Sequence, residues 1–207
     1  MRDIMMTALR ASLVTWVLCG IAYPLALTGL GQWLIPVQAN GSLERNADGT
    51  VIGSRLIGQA WKGPQWFHGR PSATTDTDPN DPTKTVPAPY NAASSGGSNL
   101  GPTSKNLVER LSADRKALDE TQPELVGAIL PADMLTTSGS GLDPDISPAN
   151  AALQVARVAR ARGVPPADIN ALLERLITGR SLGVFGEARV NVLDLNLALQ
   201  RAYPRPD

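Results

Sequence analysis

The chain has 207 residues, with nineteen Lys and Arg balanced by nineteen Asp and Glu. That length suits one ordinary domain, or a membrane anchor with a small domain behind it, and excludes a complete transporter or a large multidomain enzyme. Zero net charge gives no field that would attract a polynucleotide, so no nucleic-acid partner is expected, and a single Cys with a single His excludes an internal disulfide and a Cys/His zinc site.

No charged side chain occurs between Arg10 and Glu44. The apolar run inside that gap exceeds the roughly 20 residues needed to cross a hydrocarbon core, and predicts a transmembrane helix over 11–35. Leu13 and Ile35 lie within it, Trp16 and Trp33 sit where indole rings favour the two headgroup levels, and Pro24 falls mid-span, where its missing N–H can kink the helix. Arg2 and Arg10 precede the span, so the positive-inside rule leaves residues 1–10 in the cytoplasm and places 36–207 outside as one mixed domain. A cleavable signal peptide is the competing reading, since Val37-Gln38-Ala39 has the small-residue pattern of a cleavage site; the apolar run is longer than a signal core.

Beyond the span, Val51, Ile52, Leu56 and Ile57 around the turn residues Asn46–Gly49 predict a hairpin. Residues 74–102 are rich in Pro, Asp, Thr, Ser and Gly without apolar periodicity, and read as one long loop. Leu107, Leu111 and Leu118 predict a helix over 104–120, and Ile129 to Leu135 a strand. A helix over 148–162 follows from Ser147 as cap, Pro148 in the first turn and Gly163 after the end, with Ala152, Val155, Ala156 and Ala159 as its buried stripe. Ile169, Leu172, Leu173, Leu176 and Ile177 mark another helix, closed by Gly179. Val190 and Val192 suggest a short strand, followed by a helix to Ala202 capped by Asn191. Strands first and helices later make an α+β domain.

Catalytic motifs are scarce. No phosphate-binding loop of the G-x-x-x-x-G-K-[ST] type occurs, Asp81–Thr85 has the wrong order for an aspartyl-phosphate motif and reads as loop, and Ser138–Gly141 lacks the spacing of a nucleophile elbow. Any serine triad would have to use His68. Trp66, Phe67, His68 and Arg70 offer rings and a guanidinium to a partner's surface; equally, the imidazole of His68 can be fixed by a backbone carbonyl in a tight turn. The loop Ser94–Pro102, with Ser98 and Asn99, can form an anion nest or an ordinary turn. Arg157, Arg160 and Arg162 read as a solvated basic face.

Several tracts occur together in fixed order: Gly53-Ser54 with Leu56–Gln59, Phe67–Ala73, Tyr90-Asn91, Ser95–Pro102, Ser138–Pro144 with Ile146–Pro148, Gly186-Glu187 and Arg189–Leu193. With the N-terminal span, they resemble the C subunit of the Kdp high-affinity potassium-transporting ATPase of bacteria, over nearly the whole chain. Asp145, where that family often carries His, and Ala188, in place of a frequent Pro, depart from the pattern. The resemblance implies a non-catalytic, single-pass subunit of the inner membrane with a periplasmic domain. It would work beside a channel-like potassium-translocating subunit, a P-type ATPase subunit and a small stabilising subunit, raising the ATP affinity of the hydrolysing one. Ser95-Gly96-Gly97 would correspond to the family's nucleotide-contact motif, although the predicted topology puts that loop across the membrane from cytoplasmic ATP. A free-standing anchored periplasmic binding domain is the alternative, and an anchored Ser/His hydrolase a third.

Overall fold

In the computed structural model, which describes residues 1–204, the chain packs as two compact units, Met1–Ile52 and residues 53 onward. The first is dominated by one continuous helix from Arg2 to Leu34, 33 residues long, whose most apolar window has a mean hydropathy of 1.8; it is long and apolar enough to cross a membrane. It comprises α1 (Arg2–Val17), a π-helical turn (Leu18–Ala22) and α2 (Tyr23–Leu34). The π turn has a local cause. Pro24 has no N–H to give Gly20 and its ring crowds that carbonyl, so the helix widens by one residue and Tyr23 N–H donates to Leu18 O instead. Leu13, Trp16, Trp33 and Ile35 are all exposed, and no residue of α1 or α2 is buried. A short helix α3 (Pro36–Ala39) and a hairpin of β1 (Leu43–Arg45) and β2 (Val51–Ser54) follow. Leu56 and Ile57 lie past the end of β2, in a turn set by Ser54 Oγ accepting from Leu56 N–H.

The second unit combines short antiparallel ribbons with helices, the α+β arrangement expected. Its core joins α5 (Pro148–Arg162), α6 (Pro166–Leu176) and α7 (Val192–Ala202) around Phe67, Val158, Ile169, Leu195 and Leu199. Ser147 Oγ accepts from Asn150 N–H to cap α5, and Gly163 in the left-handed region ends it. Asn191 caps α7 in the same way through Asp194 N–H. β6 (Val190–Asn191) pairs antiparallel with β5 (Asp145–Ile146). α6 ends at Leu176, before Gly179, because Ile177 turns into extended backbone and begins a projecting arm.

Three expectations are corrected. Residues 74–102 are not one loop: β3 (Thr75–Asp78) and β4 (Asp81–Pro87) form a ribbon with Thr75 opposite Pro87 and Thr77 opposite Thr85, so Asp81–Thr85 is strand. Neither strand has a buried residue, hence no alternation to read; the β-branched threonines were the available signal. Residues 129–135 contain a 3-10 turn (Ala132–Met134) rather than a strand, and Ile129 is 96% exposed. On α5 half of the expected stripe holds: Val155 and Ala159 are buried. Ala152 and Ala156 face solvent, while Asn150, Gln154 and Arg157 are buried beside Ala151, Val155 and Val158.

Candidate functional site

Gln154 and Arg157, buried on α5, and Asn196, buried on α7, serve one segment. The segment Gly63–Arg70 crosses the helices without strand pairing of its own, and its backbone groups need partners. Asn196 Oδ1 accepts from Phe67 N–H and Asn196 Nδ2 donates to Phe67 O, both at 2.9 Å. Gln154 treats His68 alike, at 2.8 and 3.0 Å. Arg157 donates to the carbonyls of Pro64 and Trp66 and to Gln154 Oε1; burial pushes its pKa down to about 10, with Glu124 opposing. Arg157 is therefore not a solvated base. Arg162 lies 4.5 Å over the Trp66 ring and donates to Gln65 O. Phe67 is fully buried in the core and presents nothing to a partner. His68 Nε2–H donates to Gly63 O at 2.9 Å, the tight-turn arrangement, and burial followed by the nearby Arg157 charge lowers its pKa.

A second knot lies beyond Arg70. Ser72 Oγ donates to Gly141 O (2.7 Å) and accepts from Tyr90 N–H, while Thr74 Oγ1 donates to Ala88 O and accepts from Asn91 N–H. The Tyr90 hydroxyl donates to Arg70 O, and burial lifts its pKa to about 12, Asp143 adding and Arg70 opposing. Ser95-Gly96-Gly97 is the third strand of this knot. Gly96 N–H donates to Ser140 O at 2.8 Å and Ser95 Oγ to the same carbonyl at 3.1 Å. Close approach explains two of the glycines: a Cβ on Gly97 would sit 3.0 Å from Gly139 O, and one on Gly141, whose φ is +67°, 2.6 Å from Gly96 O. Thr137 Oγ1 donates to Ser98 Oγ, and Asn99 is exposed with φ +53°. Two donors that a nest would aim at an anion, the Gly96 N–H and the Ser95 hydroxyl, are thus engaged with Ser140 O.

An open cleft of about 680 Å³ lies between residues 131–136 and 186–189. Two ion pairs line it: Arg70 with Asp143 at 3.0 Å, and Arg189 with Asp145 at 3.1 Å. Asp133 accepts from Ser147 N–H, Ser147 Oγ and Asn150 Nδ2. Burial raises the Asp145 pKa against the pull of Arg189. Among the described residues no cluster of three His, Cys, Asp or Glu is placed to hold a metal ion.

Four of the tracts that carry the resemblance, Phe67–Ala73, Tyr90-Asn91, Ser95–Pro102 and Ser138–Pro144, are therefore joined by hydrogen bonds. The family model for KdpC, described as the K+-transporting ATPase c chain, matches residues 5–201. This chain belongs to the KdpC family. Potassium-transporting ATPase KdpC subunits of Methylobacterium nodulans (57% identical over 199 residues, 94% of this chain and 97% of the relative) and Bradyrhizobium diazoefficiens (58% over 190 residues, 92% of each) are close to it in length and sequence. So is that of Rhodopseudomonas palustris, 57% identical over 198 residues and 96% of each chain. Asp145 and Ala188 both line the open cleft.

One surface escaped sequence reasoning. Thr178 and Arg189 exchange backbone hydrogen bonds, Ser181 N–H donates to Phe185 O, and Arg180 pairs with Glu187 at 2.9 Å, making an arm. Its tip holds Leu182 at 89% exposed, Val184 at 71% and Phe185 at 65%. Leu182 also has φ +53°, a conformation that a leucine adopts at a cost of about 1–2 kcal/mol. The available signal was an apolar pair, Val184-Phe185, bounded by Gly183 and Gly186.

Proposed function

We infer that the chain is an accessory, non-catalytic subunit of a potassium-transporting ATPase complex, held by its N-terminal helix in the bacterial inner membrane, with residues 1–10 cytoplasmic and 36–207 periplasmic. Its partners are the channel-like potassium-translocating subunit, the P-type ATPase subunit and the small stabilising subunit, with lipid around the span. The names of its relatives and the positive flank of the apolar helix support this reading.

The arm is the observation that carries the docking role. Three large apolar side chains held out on a hydrogen-bonded hairpin, one of them in strained backbone, serve no purpose in the domain's own core. The arm's charges are paired, Arg180 with Glu187 and Arg189 with Asp145, so it lacks the basic cluster by which a surface loop binds anionic lipid, and an apolar patch on a neighbouring subunit suits it better. The engaged donors of Ser95-Gly96-Gly97 argue for a scaffold rather than a nucleotide cradle. Any rise in ATP affinity is then transmitted through the assembly.

Purification of the tagged full chain from potassium-starved membranes in mild detergent tests this. Stoichiometric recovery of the other subunits with potassium-stimulated ATP hydrolysis is expected; recovery of a lone chain would favour the free-standing domain.

A further inference from the structure

A small polar cavity lies where the end of α4 (Lys105–Thr121) meets α5. It measures about 50 Å³ and is lined by His68, Gly69, Leu118, Gln122, Asn150 and Gln154, with Met134 closing it. Gln122, the residue after α4, is 4% exposed, and its Oε1 has no hydrogen-bond partner. A buried amide oxygen in that state is penalised, and native interiors avoid it.

The neighbours narrow the means of satisfying it. Gln154 is saturated: its Oε1 accepts from His68 N–H and Arg157 Nη2, and its Nε2 donates to His68 O and Asn150 Oδ1. Asn150 is 1% exposed and keeps capacity, because Oδ1 has accepted one hydrogen bond and Nδ2 has donated one, to Asp133, while each can make two. Polar lining and a volume with room for about one to three solvent molecules meet the conditions for buried water.

We propose that an ordered water binds in this cavity, donating to Gln122 Oε1 and bonding the Asn150 amide, so that it ties the end of α4 to the first turn of α5. The tie matters because α4 has no buried residue of its own and is otherwise fastened by Arg110 and Arg115, which donate to the carbonyls of Leu135, Leu125 and Ala128. A bridging water completes the polar chain from Gln122 through Asn150 and Gln154 to the His68 backbone.

Two measurements on the full chain, alone in detergent or within its complex, test this. A structure at a resolution that shows solvent should hold a peak about 2.7–3.2 Å from Gln122 Oε1 and from an Asn150 side-chain atom. No peak would overturn the proposal, as would a peak with the five or more oxygen neighbours of a monovalent cation. Gln122→Met keeps the length and removes the acceptor. If the water is present, losing its anchor lowers the thermal midpoint by about 2–4 °C. If Oε1 is an unhydrated orphan, the same substitution leaves the midpoint unchanged or raises it, which contradicts the bridge.

Discussion

The segment Gly63–Arg70 and the arm Thr178–Arg189 are both short and irregular, yet they treat their side chains in opposite ways. The first draws inward. Phe67 is fully buried, its amide and carbonyl are held by Asn196, and the next residue is held by Gln154. The arm spends its own hydrogen bonds on a small ladder and leaves Leu182, Val184 and Phe185 in solvent. The tract most distinctive in sequence is therefore scaffold, and the surface fit for a partner is a plain stretch with few marks. A rare motif shows that a backbone path is demanding; it does not by itself show that the path touches a ligand.

The sharpest way to break the scaffold side of that contrast is Asn196→Leu. It strands the N–H and C=O of a fully buried residue, and should lower stability by about 2–5 kcal/mol, read from denaturant unfolding of the full chain. A loss within 0.5 kcal/mol, roughly that of a surface change, would mean that the segment is not pinned there.

Gly141→Ala comes next, with about 1–2 kcal/mol from the left-handed backbone and more from contact with Gly96 O and the Thr74 side chain. Within the Ser/Gly loop, Gly97→Ala should destabilise through Gly139 O, whereas Gly96→Ala, with nothing within 4 Å of the added Cβ, should be nearly silent in unfolding and in the ATP affinity of the assembled complex. A large loss of ATP affinity in Gly96→Ala with unchanged folding would revive direct nucleotide contact.

The smallest effect is in pH. His68 has a folded-state pKa below its ordinary 6.5, so the unfolded chain binds protons more readily in that window. The stability linked to this residue is complete above pH 6.5 and is lost as pH falls through the lowered value. Unfolding midpoints of His68→Gln measured at pH 7.5 and at about pH 5.5 should differ less than those of the parent chain; an equal difference would show that His68 titrates normally.

Much of the fold was legible because helix signals are local. Ser147, Pro148 and Gly163 delimit α5, and Asn191 starts α7, each through a capping group within three residues. The apolar N-terminal helix was legible from length alone, and the π turn before Pro24 is the structural form of the defect that the proline announced. The β3–β4 ribbon was hidden because neither of its faces is buried. Val155 and Ala159 on the buried face of α5 were legible, but its polar part was missed because hydropathy assigns Gln154 and Arg157 to solvent, whereas long-range partners at His68, Pro64 and Trp66 draw them inside. Of the candidate site, the tracts Phe67–Ala73, Ser95–Pro102 and Ser138–Pro144 could be picked out in sequence, but not that Ser72, Tyr90 and Gly141 knot them together. The arm was unreadable for the converse reason: an apolar pair between glycines resembles a core fragment until its exposure is known.

The account turns on the arm as the contact with a neighbouring subunit, and the most direct measurement is co-purification of a tagged Leu182→Asp, Phe185→Asp double variant from native membranes. Both side chains are exposed, so the variant should remain membrane-bound and unfold within about 0.5 kcal/mol of the parent. The predicted result is a folded chain that no longer retains the other subunits in stoichiometric yield. Recovery of the complete complex at the parental yield would contradict the account.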